Sequence, residues 1–350
     1  MPAADGGPDG PLTDAEIAGL LDPCRGPAAL LLAVSGGPDS LGMLAAVARW
    51  RRLNDGTPAV HVASVDHALR PESADECTRV QQAASALGLP SAVLRWQGEK
   101  PSTGLQEAAR AARYRLLAQQ AGRIGAGAVM LAHHLEDQAE TVLMRLMRGS
   151  GPLGLKGMAS ASERDGLRLL RPFLWVPKAR LAATAAAAGL QPVHDPSNND
   201  ERFTRVRLRR LMPLLAAEGL DAERLAILAG RMRMLDAAVA HHAARLAEAT
   251  AEPVGPAGVA TFAGASWLDE PFAVVLRLVA DAVAAAGDPA ADPRLEALEE
   301  LTGEVLMAIA RGEPFRRNLQ GALVSVSGDG RVTVAREPAR RTIRIDHGSG

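Results

Sequence analysis

The sequence predicts an α/β protein: a doubly wound parallel sheet, then a mainly helical C-terminal region and a short β-rich end. Two observations carry this. Short apolar runs alternate with helix-period segments between residues 28 and 148, one helix between successive runs, which is the pattern of βαβ units. Polar groups gather directly after those runs, at 35–40, 66–67 and 133–134. In a parallel sheet such positions share one edge, and ligands bind there.

In chain order, 28–34 reads as a buried strand and 41–52 as the helix after a small glycine loop. A second strand follows at 59–66 and a helix at 74–87, closed by Gly88. Residues 91–96 form a third strand, 105–121 a helix, 128–133 a fourth strand and 136–148 its helix. A glycine-rich loop spans 149–157, prolines punctuate 171–199, and the first domain is expected to close near residue 215. One long helix over 221–249, a linker at 252–258, helices at 272–286 and 294–311, and a hairpin around Gly328-Asp329-Gly330 follow. The domain reading is therefore a loose acidic lead (1–27), the α/β domain (28–215), a helical domain (216–321), and a hairpin with a loose tail (322–350).

Bulk properties narrow the classes. At 350 residues the chain is too long for one small core, and 47% hydrophobic content excludes a disordered chain. A net charge of −1 gives no chain-wide nucleic-acid signature, so any such partner needs a local basic patch. Two cysteines, Cys24 and Cys77, exclude a zinc cluster or a Cys-x-x-Cys site and give no disulfide framework. Residues 1–16 show no basic and apolar signal pattern, and no apolar run reaches the ~20 residues of a membrane span. A cytoplasmic protein with no membrane partner is expected.

Three segments carry chemistry. Ser35-Gly36-Gly37-Pro38-Asp39-Ser40 runs from a strand into a helix start, where free N–H groups and the helix dipole favour an anion. Asp39 alone would repel phosphate, so its presence points to a bridging Mg²⁺. A tight turn of any α/β protein gives the same pattern. The second segment, His133-His134-Leu135-Glu136-Asp137-Gln138-Ala139-Glu140-Thr141, places Asp137 and Glu140 on one helix face. Acids complementing the helix dipole are the plain alternative. The third holds Arg202, Arg205, Arg207, Arg209 and Arg210, five arginines in nine residues with no acid among them. It is a phosphate-binding patch or a solvated helix face.

Six blocks in chain order make a resemblance specific: Ser35–Ser40, Val65–Arg70, Glu107–Tyr114, His133–Thr141, Arg148–Leu155 and Asp195–Asn198. The series over 28–215 resembles the tRNA(Ile)-lysidine synthase family of N-type ATP pyrophosphatases, whose fold is adenine nucleotide alpha hydrolase-like. Two positions depart from the family pattern. Glu136 stands where the family has Asp, so the metal role falls to Asp137, and Val206 replaces an Asn between arginines. The resemblance implies adenylation by ATP of C2 of the wobble cytidine of a CAU anticodon in tRNA(Ile). The ε-amine of L-lysine then displaces AMP. It implies ATP at Ser35, Gly36, Gly37, Pro38, Asp39, Ser40, Asp66 and His67, and Mg²⁺ at Asp39 and Asp137. Arg113 is expected to neutralise the α-phosphate, Glu140 to hold lysine, and His133 to position groups or transfer a proton. Arg110, Arg148, Arg205, Arg207 and Arg209 are expected to face tRNA, Arg110 and Arg113 alternatively forming a solvated face, and Arg148-Gly149-Ser150-Gly151 is a loop closing over the target base or a plain connection. The region after 215 is expected to grip the tRNA and to separate isoleucine from methionine tRNA. No protein partner is evident. Alternatives are a tRNA thiolase, which needs cysteines, an amide-forming synthetase, which needs an amidotransferase domain, and a non-catalytic tRNA binder.

Overall fold

A computed structural model describes residues 7, 9–101, 103–164, 166–193, 204–252, 259–288 and 295–337. The Asp195–Asn198 motif, Arg202 and the linker prolines lie outside them. The chain forms two compact units: Met1–Gly149 with Gly154–Gly230, and Ser150–Leu153 with Arg231–Gly350.

The first unit begins with α1 (Asp14–Leu21), which replaces the loose lead expected from composition. Thr13 and Glu16 form a reciprocal capping box that satisfies the first-turn N–H groups, while Ile17 and Leu21 are buried. β1 (Ala29–Ala33) is buried at every position, as a strand covered on both faces must be. Leu30 and Leu32 enter one core with Met43, Trp50, Val60 and Phe173. Leu31 and Ala33 enter the opposite one with Tyr114, Leu117 and Val129. The connections are α2 (Pro38–Leu53), α3 (Ser73–Ala86) and α4 (Leu105–Ile124). β2 (Ala59–Asp66) and β4 (Ala128–Met130) flank β1 in parallel, and β3 (Ser91–Arg95) lies beyond β2. A hairpin of β5 (Ala161–Arg164) and β6 (Leu167–Leu170) completes the order β3-β2-β1-β4-β6-β5, with β5 antiparallel.

This order sets the site. The chain moves outward from β1 to β3, then returns to β4 on the other side of β1. The loops leaving β1 and β4 therefore adjoin at a topological switch point, where open α/β sheets bind ligands. α5 (Leu135–Met147) follows β4, and the short α6 (Pro152–Leu155) follows α5. α7 (Lys178–Ala187) packs on α2, with Gly42 against the Leu181 carbonyl. α8 (Thr204–Ala217) and the first turns of α9 (Ala222–Thr250) pack on α5 through Leu208, Leu225 and Ala229 against Ala139, Val142 and Leu143. That packing carries the first unit to Gly230, past the closure near 215 that the sequence suggests.

The second unit contains α10 (Phe272–Ala286) and α11 (Leu295–Arg311) beside an antiparallel sheet of order β7-β10-β9-β8. The expected hairpin is β9 (Ala322–Val326) with β10 (Arg331–Arg336), and β7 (Val259–Ala263) and β8 (Phe315–Leu319) extend it. Trp267, Val275, Leu301, Val324 and Val332 share its core. No helix among the described residues is long and apolar enough to cross a membrane.

Candidate active site

The bend after β1 is built by its glycines. Gly36 has φ +87°, a conformation L side chains rarely adopt, and its carbonyl accepts the N–H of Val193 at 2.9 Å. Gly37 precedes α2 and no side chain caps the first turn. Ser40 folds back, its hydroxyl donating to the Gly37 carbonyl at 3.0 Å and accepting the Ser35 N–H at 3.2 Å. Pro38 contributes no N–H and fixes the first helical φ. The helix start therefore offers its donors outward, as an anion site requires.

Across the switch point, the junction after β4 meets this bend. His134 is 2% exposed, and its Nε2 lies 3.5 Å from Asp39 Oδ2 and 3.3 Å from Asp137 Oδ2. Two carboxylates far apart in sequence thus converge on one atom. The other ring nitrogen, Nδ1, is 2.9 Å from Glu136 Oε2. Burial opposes a charged ring, yet Asp39, Glu136 and Asp137 raise the His134 pKa to about 9. The His134 backbone N–H donates to Asp137 Oδ2 at 3.3 Å, which orients that carboxylate at the start of α5.

Asp39 Oδ1 is buried and without a hydrogen-bond partner. An orphaned carboxylate oxygen facing a second carboxylate fits a divalent cation, and Mg²⁺ is held by one or two carboxylates plus substrate phosphates. Among the described residues no group of three His, Cys, Asp or Glu could hold a metal by itself. The donor set fits an ion that arrives with its phosphate ligand.

Glu140 is 1% exposed and already carries a cation. Arg209 Nε donates to its Oε1 at 2.6 Å, and Arg209 Nη2 lies 3.9 Å from Asp137 Oδ1. Burial raises the Glu140 pKa while Arg209 pulls it down. Arg209, expected to face tRNA, is drawn towards the acidic residues of α5: apolar packing of Leu208 on α5 places the next residue against Glu140. Arg205 also leans inward, 4.0 Å from Asp137 Oδ1, with its side chain 40% exposed. Arg207 is exposed and donates to Thr204 at 3.0 Å.

The surroundings of His133 are cationic. His133 is half-buried with its Nδ1 unpartnered. Burial, then Arg171, Arg113, Arg205 and Arg110, drive its pKa down to about 3. Burial and these cations thus favour the neutral His133 ring, which can hydrogen-bond through either nitrogen. Arg113 is partly covered, and burial lowers its pKa. Arg110 is exposed, its guanidinium 5.3 Å from the Tyr114 ring centroid. Arg171 is 9% exposed and donates to the Ala159 carbonyl and Ser162, with its Nε unpartnered.

Asp66 and His67 divide their roles. The Asp66 carboxylate accepts from the Ala68 N–H at 2.8 Å and from Ser73 at 2.6 Å, so it shapes the loop. His67 packs edge-on to Trp96, and its Nδ1 is buried without a partner. Arg148 stands apart: it caps the far end of α5, eleven residues or roughly 16 Å along the helix from Asp137.

The sequence alone assigns no role to His134, Glu136, Arg171 or Lys178. His134 carried a signal, since it stands three residues before Asp137 in the pattern of a capping box. Lys178 carried another: a cation in the first turn opposes the helix dipole and needs a reason.

A family model described as the PP-loop domain matches residues 12–215. The tRNA(Ile)-lysidine synthase of Methylobacterium sp. (strain 4-46) is 52% identical over 339 residues, covering 95% of this chain and 96% of that one. Those of Methylobacterium nodulans and Bradyrhizobium diazoefficiens are 50% and 44% identical, with 95% of this chain and 98% and 96% of theirs covered. Among solved structures, the U34-tRNA thiolase NcsA from Methanococcus maripaludis with its [4Fe-4S] cluster is similar in fold. It has a TM-score of 0.54 at 14% identity, covering 64% of this chain and 78% of that one. That likeness extends to the fold alone, since Cys24 and Cys77 are buried here and burial raises both thiol pKa values. With the phosphate bend, the facing carboxylates and relatives matched almost end to end, the chain belongs to the tRNA(Ile)-lysidine synthase family.

Proposed function

We propose that this chain is an ATP-dependent ligase that makes lysidine at the wobble cytidine (position 34) of the CAU anticodon of tRNA(Ile), in the cytoplasm. The cytidine C2 oxygen attacks the α-phosphorus of ATP, the α–β bridging bond breaks, and pyrophosphate leaves with the electron pair. The lysine ε-amine then attacks C2, AMP departs, and the amine loses its proton. The carrying observation is the convergence of Asp39 and Asp137 on His134 Nε2 beside the orphaned Asp39 oxygen.

Each residue has a physical task. The N–H groups around Ser35–Ser40 hold the triphosphate. Asp39 and Asp137 would hold Mg²⁺, which would offset charge growing on the leaving pyrophosphate. Arg113 and Arg171 stabilise the α-phosphoryl oxygens from the cationic surroundings of His133. Neutral His133 positions the base or ribose by hydrogen bonding. Glu140 receives the lysine ammonium in exchange for Arg209, and its burial-raised basicity makes it the better proton acceptor of the two candidates. His67 borders the adenosine end, and Arg110, Arg148, Arg205 and Arg207 supply phosphate contacts to tRNA. The second unit adds grip and discrimination between isoleucine and methionine tRNA.

Mass analysis of nucleosides from CAU-anticodon tRNA after incubation with ATP and labelled lysine tests this reading. Lysidine is expected from the parent chain, and none from Asp39→Ala, which keeps its tRNA affinity. Lysidine at the parent rate from Asp39→Ala would refute the metal assignment, and absence of lysidine from the parent would refute the function.

A further inference from the structure

The start of α7 places a cation at the phosphate bend. Lys178 follows Pro177 as the first residue of α7, and its ammonium lies 3.8 Å from Asp39 Oδ2 with the side chain 44% exposed. Its backbone is fixed from the other side of the crevice. The Lys178 N–H donates to Glu136 Oε2 at 2.9 Å, the same oxygen that meets His134 Nδ1 at 2.9 Å. Asp39, His134, Glu136 and Lys178 thus close a ring of contacts joining the starts of α2, α5 and α7.

The rest of α7 is anchored as firmly. Arg180 grips Glu16 with two bonds of 2.7 and 2.9 Å, and Thr184 accepts the Leu12 N–H at 2.9 Å. One turn beyond Lys178, the Leu181 carbonyl lies against Gly42. A lysine at this position gains nothing from the helix dipole, and its contact with Asp39 is long and half in water, hence weak. The ammonium is therefore held in place by the backbone, with a partner it can exchange.

We infer that Lys178 binds the β- and γ-phosphate oxygens of ATP and stays with the pyrophosphate as the α–β bond breaks. Glu136 acts as its positioning residue. The longer reach of Glu136 relative to Asp lets one carboxylate bond both the His134 ring and the α7 main chain. The inference rests on the reading of Ser35–Ser40 as the ATP site. An ammonium is a compact point charge with three donors, suited to two neighbouring phosphates.

Equilibrium dialysis of the full chain with ATP and Mg²⁺, without tRNA or lysine, tests it. Lys178→Met is expected to raise the ATP Kd about tenfold or more, the loss expected for one charge-assisted hydrogen bond. Lys178→Arg is expected to recover most of that loss, and the KM for lysine is expected to stay at the parent value in both. Asp39→Asn is measured alongside. If Asp39→Asn weakens ATP binding and Lys178→Met stays within twofold of the parent, the inference is overturned while the ATP site stands. If neither variant weakens binding, the ATP-site reading itself falls. Failure of Lys178→Arg to rescue a loss in Lys178→Met would also overturn the inference, because a cation would then not be what matters.

Discussion

Gly42→Ala tests how the fold sets the site. A Cβ at Gly42 would lie 2.3 Å from the Leu181 carbonyl oxygen, 2.8 Å from its carbon and 3.0 Å from its Cα. All three are backbone atoms, so no side chain can rotate away. Restoring an ordinary contact requires α2 and α7 to part by about 1 Å. α7 cannot yield freely, because Arg180 and Thr184 bind it to the segment around α1. Overpacking of this kind costs about 1–3 kcal/mol. The same separation displaces Asp39, three residues before Gly42, from Lys178, three residues before Leu181. A displacement of about 1 Å in a reacting constellation costs on the order of 100-fold in rate. Urea unfolding reports the first effect, and ATP–pyrophosphate exchange the second. Parent stability in Gly42→Ala would refute the packing argument. Lower stability with parent exchange activity would show that α7 does not position the phosphate end.

Two further outcomes follow from the ionised groups. The Arg180 hydrogen bonds, set against burial and aided by Thr13, lower the Glu16 pKa from 4.5 to about 2, so its stabilisation is present above pH 4.5 and lost as pH falls through 2. Glu16→Gln is expected to lower the urea midpoint at pH 7, with the gap from the parent closing between pH 4.5 and 2; a gap constant across that range would refute the Arg180 clamp. Arg209→Ala leaves Glu140 buried without its cation, so the Glu140 pKa rises further and the acid limb of kcat/KM is expected to move to higher pH. Its stability cost, about 2 kcal/mol after allowing for the 38% exposure of Arg209, is expected above that raised pKa and to vanish below pH 4.5. An unshifted acid limb would remove Glu140 from the chemistry.

Much of the first unit was legible because its strands are short, apolar and separated by single helices. β1 and β4 read as strands, and the parallel rule alone brings the loops after them to one rim. The β5–β6 edge was not legible: Ala161-Ser162-Glu163-Arg164 is largely exposed and has no apolar alternation to report a strand. β8 is hidden similarly, since Phe315-Arg316-Arg317-Asn318-Leu319 is an edge strand with no buried position. α1 had its capping box in plain view, and the surrounding Gly and Pro outweighed it. Within the site, residue types were readable and partners were not. His133 and His134 are neighbours in sequence, yet one points to arginines and is neutral while the other meets three carboxylates. Arg209 shares its patch with Arg207, and only the packing of α8 on α5 separates their roles.

The crevice pairs its acidic groups with cations that can be exchanged. One wall gathers Asp39 and Glu136, both partly exposed, with buried Asp137 and Glu140, a charge density that needs compensation where water is largely excluded. The chain compensates it with His134, Lys178, Arg205 and Arg209, all within 4.0 Å of a carboxylate oxygen. The facing wall, with Arg113, Arg171 and neutral His133, has no such acid pairing among the described contacts. On the proposed reaction, ATP with Mg²⁺ and a lysine ammonium would exchange cations on the acidic wall and add anion to the cationic one. Neither step leaves a buried carboxylate bare, so the cost of desolvation is met before the substrates arrive.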